Sequence, residues 1–275
     1  MFACFDQRRG LSANCIRTGT RTLAGSIFAL TACLAGAETT YGPSVALGDG
    51  MARVYLVTED EVPVELGVAL DDAFLSALPA DGEPHGIVMP DGRSTFEYML
   101  EMPAGHGTPF QHVTLDWNPS GHEPDGIYDL AHLDIHFYVI SVEERLAIDP
   151  TDPEFPEKAR RLPDAAYLPA GYVDPGAPPV PMMGLHLVDP ASPELHPDHP
   201  EPFTYTFLYG SWDGRLIFLE PMVTTEYLRT KQPMTRDVPV AAHYQPPGYY
   251  PGAYSIRWDE HAGEHRIALN DLQWR

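Results

Sequence analysis

One short stretch, AHLDIHFYVI at residues 131–140, alternates groups that bind metals or transfer protons with apolar side chains. His132, Asp134, His136 and Tyr138 share one parity, and every residue between them is apolar. In a β-strand, side chains of one parity lie on the same face, so four polar groups would line one face of this strand. Imidazoles and carboxylates are the protein ligands of zinc and of other divalent transition metals.

Other imidazole and carboxylate groups precede and follow this strand. The candidate metal ligands are His122, His132, Asp134, His136, His186 and Glu220, with His112 as a further candidate. We expect them to surround one divalent cation, such as Zn, Mn, Fe or Ni, if they converge in the fold. An ion with an open coordination position would polarise a substrate or activate water.

The spacing along the strand limits which of these groups can share an ion. Strand residues four apart are separated by roughly 13 Å at Cα, whereas a histidine-bound zinc lies only about 6 Å from the Cα of each ligand. His132 and His136 would therefore lie almost opposite each other across the ion, which a tetrahedral site forbids. A regular strand supplies His132 with Asp134, or Asp134 with His136, and all three only if a bulge or a strand end bends the chain.

Two metal-free interpretations of the same face remain open. The first is a structural hydrogen-bond network in which Asp134 accepts protons from both neighbouring imidazoles, with Tyr138 and Asp116 completing it. The second is acid–base catalysis without a metal. No serine or cysteine nucleophile motif is present, and GDG and GSWDG indicate turns rather than phosphate loops. The remaining histidines are predicted to be surface residues: His85, His106, His196, His199, His243, His261 and His265.

The elements that must position these groups are short alternating segments. Strands are predicted at MARVYLV, PVELGVAL, STFEYMLEM, FQHVTLDW and MGLHLV, and hairpins at residues 203–220 and 253–274. Asp213-Gly214 supplies the turn of the first hairpin. Short helices are predicted at DDAFLSAL and, from its capping-box spacing, at SVEERL. The sequence predicts an all-β fold with a few short helices, an antiparallel β-sandwich or barrel with long Pro-rich loops.

The chain is predicted to contain one such domain, at residues 38–275. Residues 149–181 contain nine prolines and no sustained periodicity. A loop of this length inside a compact domain is typical of a functional cover, an interface or a linker. Because strands resume directly after it, we interpret it as a long Pro-rich loop within the domain, with one helical turn near residues 158–162.

Residues 1–37 have the pattern of an export signal. An arginine-rich start precedes the apolar run TLAGSIFALTACLAGA, which is too short to span a membrane as a mature helix. Ala35-Gly36-Ala37 fits a cleavage site, and LTAC resembles a lipobox in which Cys33 would be lipidated. The protein is therefore predicted to be periplasmic, extracellular or anchored to the envelope by lipid.

The charge of the chain limits its partners. A formal net charge of −22 argues against nucleic-acid binding, because phosphate backbones would be repelled. Contact with a membrane is predicted only through a lipid anchor at Cys33. A homo-oligomer is predicted, with the segment QPPGYYPGAY at residues 245–254 or the loop at residues 149–181 in the contact. The sequence does not indicate a small-molecule ligand.

The sequence contains three longer motifs, WNPSGHEP, HLDIHFY and GSWDG followed by FLEPM. These motifs resemble an uncharacterised family of exported bacterial β-rich proteins, a domain of unknown function, and the resemblance extends from Tyr41 to Arg275. Ala131, Leu133 and Ile135 depart from it, since proline and phenylalanine are expected there. The resemblance implies an oligomer linked with envelope functions and no activity. The alternative to a metal-binding protein is thus a non-catalytic structural or envelope-stress protein whose polar cluster is a structural network.

Overall fold

The computed structural model describes residues 36–89 and 91–275. The predicted export signal and the lipidation candidate Cys33 lie outside these residues, apart from residues 36 and 37, and stay predictions. In chain order the strands are β1 (Glu38–Tyr41), β2 (Val45–Leu47), β3 (Gly50–Glu59), β4 (Val62–Asp71), β5 (Ile87–Val88), β6 (Ser94–Glu101), β7 (His112–Asn118), β8 (His132–Tyr138), β9 (Leu185–Leu187), β10 (Tyr205–Trp212), β11 (Arg215–Thr224), β12 (Met234–Asp237), β13 (Tyr249–Tyr250), β14 (Ala253–Asp259), β15 (Glu264–Asn270) and β16 (Gln273–Trp274).

The helices are short. The α-helices are α1 (Val142–Leu146), α2 (Phe155–Arg160) and α3 (Thr225–Thr230), and 3-10 helices lie at Asp72–Leu75, Ala165–Tyr167 and Pro193–Leu195. The predicted capping box forms at α1, where Glu144 N–H donates to Ser141 and Ser141 N–H donates to Glu144. In the part of the chain that the structure describes, no helix combines the length and apolar character needed to cross a membrane.

Two seven-stranded antiparallel sheets make up most of the fold. The first sheet has the order β1-β3-β4-β15-β14-β12, with β2 paired to β3, and the second has the order β5-β6-β7-β8-β11-β10-β9. The predicted fold class, all β and antiparallel with a few short helices, is confirmed, and the sheets include a curled half-barrel. The turn between β10 and β11 is at the predicted Asp213-Gly214, where both residues have positive φ.

One apolar core joins the two sheets. Val54 and Val68 of the first sheet belong to the same buried cluster as Leu115, Ile135 and Phe137 of the second sheet. Leu115 of β7 and Ile135 and Phe137 of β8 are the apolar residues of the alternating pattern in the sequence. The opposite parity, with the histidines and aspartates, therefore faces away from this core, and we call it the outer face of the second sheet.

The outer face of the second sheet is nevertheless buried. All seven residues of β8 are buried, on both parities. Two smaller apolar clusters cover this face at either end: one contains Tyr138, Ile140, Ile148, Phe155, Ile217 and Phe218, and the other contains Tyr128, Val188, Phe203, Leu208 and Met222. Long connections, rather than a third sheet, supply the covering residues.

The Pro-rich loop at residues 149–181 is one of these connections. It includes α2, which begins earlier than the predicted turn, and it forms bridges from Val173 to Val188 and from Val180 to Gly184. Phe155 of α2 packs in the same cluster as Tyr138. The loop therefore packs against one end of the outer face.

Some residues that were predicted to lie at the surface are buried in the structure. Tyr250 and Tyr254, in the segment predicted to mediate oligomer contacts, are 1% and 3% exposed and pack in the core of their own chain. The homo-oligomer itself stays a prediction. His265 was predicted to be a surface residue, and this is wrong: it is buried, because it points inward from β15, with Nε2 3.1 Å from Asp72 Oδ1.

Candidate metal centre

The register of the second sheet collects the polar residues on its outer face. β7 pairs with β8 in unbroken register, so that Thr114, Asp116 and Asn118 lie opposite His136, Asp134 and His132. β11 pairs on the other side of β8 and places Glu220 beside His136. His186 reaches the same face from β9.

Gly210 on β10 is needed for this arrangement. A Cβ at this position would lie 2.0 Å from the Phe218 ring. The ring, which occupies this space instead, packs against the imidazoles of His136 and His186, with centroid distances of 4.8 and 5.2 Å. The missing side chain at Gly210 therefore lets Phe218 support two candidate ligands.

The six predicted ligands form two separate triads rather than one cluster. The first triad is His122, His132 and Asp134, and the second triad is His136, His186 and Glu220; in each, one ligand atom per residue lies within 4.8 Å of the others. β8 is regular, so His132 pairs with Asp134 and His136 is directed to a different group, as the strand spacing requires. Each triad contains two imidazoles and one carboxylate.

In the first triad, backbone carbonyls orient both imidazoles. Nδ1–H of His132 donates to Leu130 O at 2.6 Å, and Nδ1–H of His122 donates to Glu123 O at 2.6 Å. Both Nε2 atoms then face Asp134, at 3.1 Å from Oδ1 and Oδ2 respectively. Asn118 Nδ2 donates to Asp134 Oδ2 at 2.7 Å.

In the second triad, Glu220 lies between two imidazoles. Its Oε1 is 3.3 Å from His136 Nε2 and its Oε2 is 3.5 Å from His186 Nε2. The other side of the His136 ring faces Thr114 Oγ1 and Asp116 Oδ2, at 3.3 and 3.1 Å from Nδ1. A carboxylate behind a histidine is a frequent partner of metal-bound imidazoles, because it fixes the tautomer and raises ligand basicity.

Several triad atoms lie close to an oppositely charged group without an aligned hydrogen bond. Among the described residues, no hydrogen-bond partner is found for the buried atoms His132 Nε2, Asp134 Oδ1, His136 Nε2 and Glu220 Oε2. Buried polar atoms are normally paired, and exceptions require an explanation. With Nδ1–H of His132 bound to a carbonyl, a neutral His132 ring directs its Nε2 lone pair toward a carboxylate oxygen of Asp134, an arrangement that a cation stabilises.

The pKa values of the apo site follow from burial and from these close contacts. Burial disfavours the imidazolium of His122, but the Asp134 carboxylate outweighs it and raises the His122 pKa to about 9. Burial would raise the pKa of Asp134, yet the His132 and His122 imidazoles hold it well below its ordinary value. Burial raises the pKa of Asp116 to about 6 and lowers that of His186. Without a cation, His122 therefore keeps its proton at neutral pH, whereas Asp134 is ionised and His186 is neutral.

One histidine of each triad reaches solvent. The side chains of His122 and His186 are 23% and 20% exposed, whereas those of His132, Asp134, His136 and Glu220 are at most 6% exposed. In each triad, one imidazole is therefore in contact with solvent, and the other two ligands are enclosed.

The loop that supplies His122 is fixed by its own contacts. Gly121 has φ +68°, and a Cβ there would meet Tyr128 O at 2.1 Å. Arg93, directly before β6, links the loop to the start of this strand. Its guanidinium contacts Asp125 and Asp129 of the loop at 2.7 and 3.1 Å and Asp91 at 2.6 Å.

Replacing Arg93 with alanine is expected to weaken metal binding at the first triad about fivefold. Exposed ion pairs contribute up to about 1 kcal/mol, and their loss frees the loop that positions His122. Affinity is measured by titrating the apo protein with Zn²⁺. Arg161→Ala removes two ion pairs elsewhere on the surface and is the matched control. Equal affinities in the two variants would contradict the positioning role.

The structure brings all six predicted ligands to one face but changes their pairing. The partners within the predicted hydrogen-bond network also differ, because Asp134 contacts His132 and His122 while His136 contacts Asp116 and Glu220. His112 joins neither triad; its ring stacks on Tyr138 at 4.7 Å. Asn118 was missed, although the parity of FQHVTLDWN already placed it on the polar face.

Comparison with known proteins adds a partial family match. A family model described as TTHB210-like, Hypothetical protein TTHB210, matches residues 58–117. No curated protein and no solved structure matches the chain. The matched segment runs from the end of β3 into β7; it includes Asp116 but none of the six triad residues, and it stops where the WNPSGHEP motif begins. Over residues 58–117 the chain is therefore similar to the TTHB210-like family, whose description names no activity.

Proposed function

We propose that the protein binds two divalent metal ions, one at each triad on the outer face of the second sheet. The observation that supports this most directly is the set of four buried triad atoms without aligned hydrogen bonds. Three protein ligands leave a fourth position open, which is typical of catalytic rather than structural zinc sites. Two histidines and one carboxylate also suit Fe²⁺, Mn²⁺ and Ni²⁺.

The surroundings of the triads support ion binding. Carbonyls of Leu130 and Glu123 orient the first pair of imidazoles, and Asn118 orients Asp134. Outer partners of this kind improve metal affinity, and their loss typically costs about 10- to 100-fold. A bound ion with an open position would polarise a carbonyl or phosphoryl oxygen, or activate water. On the composition of residues 1–37, we further propose that this metal-binding protein is exported.

A structural hydrogen-bond network is the second candidate. The raised pKa of His122, about 9, and the lowered pKa of Asp134 fit an imidazolium–carboxylate pair that needs no metal. In that case the outer face would specify the fold, and the protein would be a non-catalytic envelope component.

Elemental analysis of protein purified without a tag or chelator distinguishes the two functions. We expect about two ions per chain in the wild type and about one in each of His132→Ala and His136→Ala, because each variant loses a buried ligand of one triad. His112→Ala, a buried histidine on the same face outside both triads, is expected to keep two. A wild type without metal, also after incubation with Zn²⁺, Mn²⁺, Fe²⁺ and Ni²⁺, would refute metal binding and leave the network.

A further inference from the structure

The hydroxyl of Tyr128 is a buried donor without a partner. Tyr128 is 3% exposed, and its oxygen makes no hydrogen bond to any residue within 36–89 and 91–275. Leaving a buried hydroxyl unpaired costs free energy, and a tyrosine at such a position usually finds a partner. Neither the fold nor the six triad residues use this group.

The Tyr128 side chain lies beside the first triad. Its ring centroid is 5.7 Å from that of His122 and 5.0 Å from that of Phe203, and the Phe203 ring is 5.3 Å from His132. A phenol hydroxyl is a hydrogen-bond donor, so Tyr128 places an unused donor group beside the ligands of the first triad.

The charge of the loaded site favours an anion. Each triad has one carboxylate, Asp134 or Glu220, so a divalent cation leaves each triad with a local charge of 2 − 1 = +1. The carboxylates of Asp116 and Glu194 lie close by and offset part of this charge. The site is enclosed by aromatic residues, where electrostatic interactions are stronger than in water. A positive centre of this kind stands out in a chain with a formal net charge of −22.

The enclosure of the triads favours a small ligand. The side chains of His122 and His186 are partly exposed, whereas the rings of Phe203 and Phe218 lie against the other imidazoles. Oxygen anions are good ligands for divalent cations and good acceptors for a phenol O–H.

We propose that the metal-loaded triads bind a small oxyanion, a phosphate or carboxylate group, and that the Tyr128 hydroxyl donates a hydrogen bond to it. The inference rests on the proposed metal binding and names the class of ligand that the same site takes. Tyr128 is then a ligand-contacting residue, and its missing hydrogen bond is completed by the anion.

Calorimetric titration of the Zn²⁺-loaded protein with inorganic phosphate, and separately with acetate, tests this proposal. The metal content of each sample is measured first. We expect at least one of the two anions to bind, and Tyr128→Phe to weaken its affinity about tenfold or more while two metal ions remain, because the variant removes one hydrogen bond to a charged group. Which anion binds more tightly distinguishes a phosphate from a carboxylate ligand. Tyr172→Phe, which loses a buried hydrogen bond to Phe207 O far along the chain, is expected to keep wild-type anion affinity.

The outcomes separate this inference from the proposed function. Two metal ions with no binding of either anion, or with equal affinities in the wild type and Tyr128→Phe, would overturn the inference and leave metal binding intact. A chain that takes up no metal would overturn both.

A second readout needs no metal. In the apo protein, Tyr128→Phe is expected to leave the melting temperature unchanged or raise it, because the hydroxyl has no partner to lose, whereas Tyr172→Phe lowers it. A lower melting temperature for apo Tyr128→Phe would assign the hydroxyl a structural role and overturn the inference.

Discussion

Saturating both triads with a divalent ion is expected to raise the melting temperature of the protein by about 10–20 °C. A ligand that binds only the folded state stabilises it by about 2.7 kcal/mol at a free concentration of 100 times its Kd, so two sites contribute about 5 kcal/mol. For a domain of this size, each kcal/mol shifts the melting temperature by about 2–4 °C. Thermal unfolding followed by circular dichroism, with Zn²⁺ and with a chelator, measures the shift.

The direction of this shift follows from the apo site. Without a cation, Asp134 and Glu220 lie buried next to His132 and His136, whose Nε2 atoms lack aligned hydrogen bonds, so part of the burial cost of these charges is not offset. One ion at each triad supplies the missing partner for these atoms. Because the unfolded chain does not hold the ligands together, most of the binding free energy becomes folding free energy.

Variants that lack one ligand test whether each triad contributes separately to the shift in melting temperature. His132→Ala and His136→Ala are each expected to keep about half of the metal-dependent shift, and His112→Ala is expected to keep all of it. If a chelator leaves the melting temperature of metal-loaded wild type unchanged, or if all three variants lose the shift equally, the two-site arrangement is refuted.

The polar face itself was predictable from the sequence, because alternation in a strand depends on backbone geometry alone. His132, Asp134 and His136 share a face in any regular strand, and the 13 Å limit already showed that His132 and His136 cannot ligate one ion together. The same spacing therefore implied two groups of ligands, although one metal site was predicted. No separate set of partners was predicted for His136.

The partners themselves depend on contacts far apart in the chain. His122 reaches Asp134 only because the 119–131 loop folds back over the sheet, and Glu220 reaches His136 through the pairing of β11 with β8. Alternation within one segment contains no information about which strands become neighbours. The sequence could name the ligand types and the face, but it could not assign members to the triads.

The burial of the outer face could not be predicted from the pattern of the strand alone. A strand with one polar parity is usually half exposed, whereas here the Pro-rich loop and the 119–131 loop cover it. Irregular segments have no hydrophobic periodicity from which a buried face can be predicted, because their packing depends on tertiary contacts. Helix α1, the 3-10 helix at Asp72–Leu75 and the Asp213-Gly214 turn were predictable because capping and turn chemistry act within four residues.

Replacing Arg145 with methionine is expected to destabilise the apo protein by about 3 kcal/mol. Arg145 of α1 is fully buried, and its guanidinium contacts both carboxylate oxygens of Glu97, with Nη1 3.0 Å from Oε1. It also lies over the Tyr138 ring, 5.1 Å from the centroid. Removing one partner of a buried ion pair costs about 3–5 kcal/mol, because the other charge is left without compensation. Glu97 is 18% exposed, which places the expected loss at the lower end.

Urea unfolding of the chelator-treated protein measures this loss. Methionine keeps much of the apolar stem of the arginine, so the change removes mainly the charge and its hydrogen bonds. Arg215→Met is the matched control, since Arg215 contacts Glu144 of the same helix at 3.4 Å but is exposed, and we expect it to change stability by less than about 0.5 kcal/mol.

The double variant Arg145→Met with Glu97→Gln tests the reason for the expected loss. If the cost arises from an uncompensated Glu97 carboxylate, neutralising that carboxylate should recover part of the stability lost in Arg145→Met, and the two changes should not add. Additive losses would show instead that Arg145 acts through packing on Tyr138. Tyr138 stacks between His112 and the His136 ring of the second triad. The same double variant should therefore also be titrated with Zn²⁺: two ions per chain would show that α1 stabilises the covered face without taking part in metal binding.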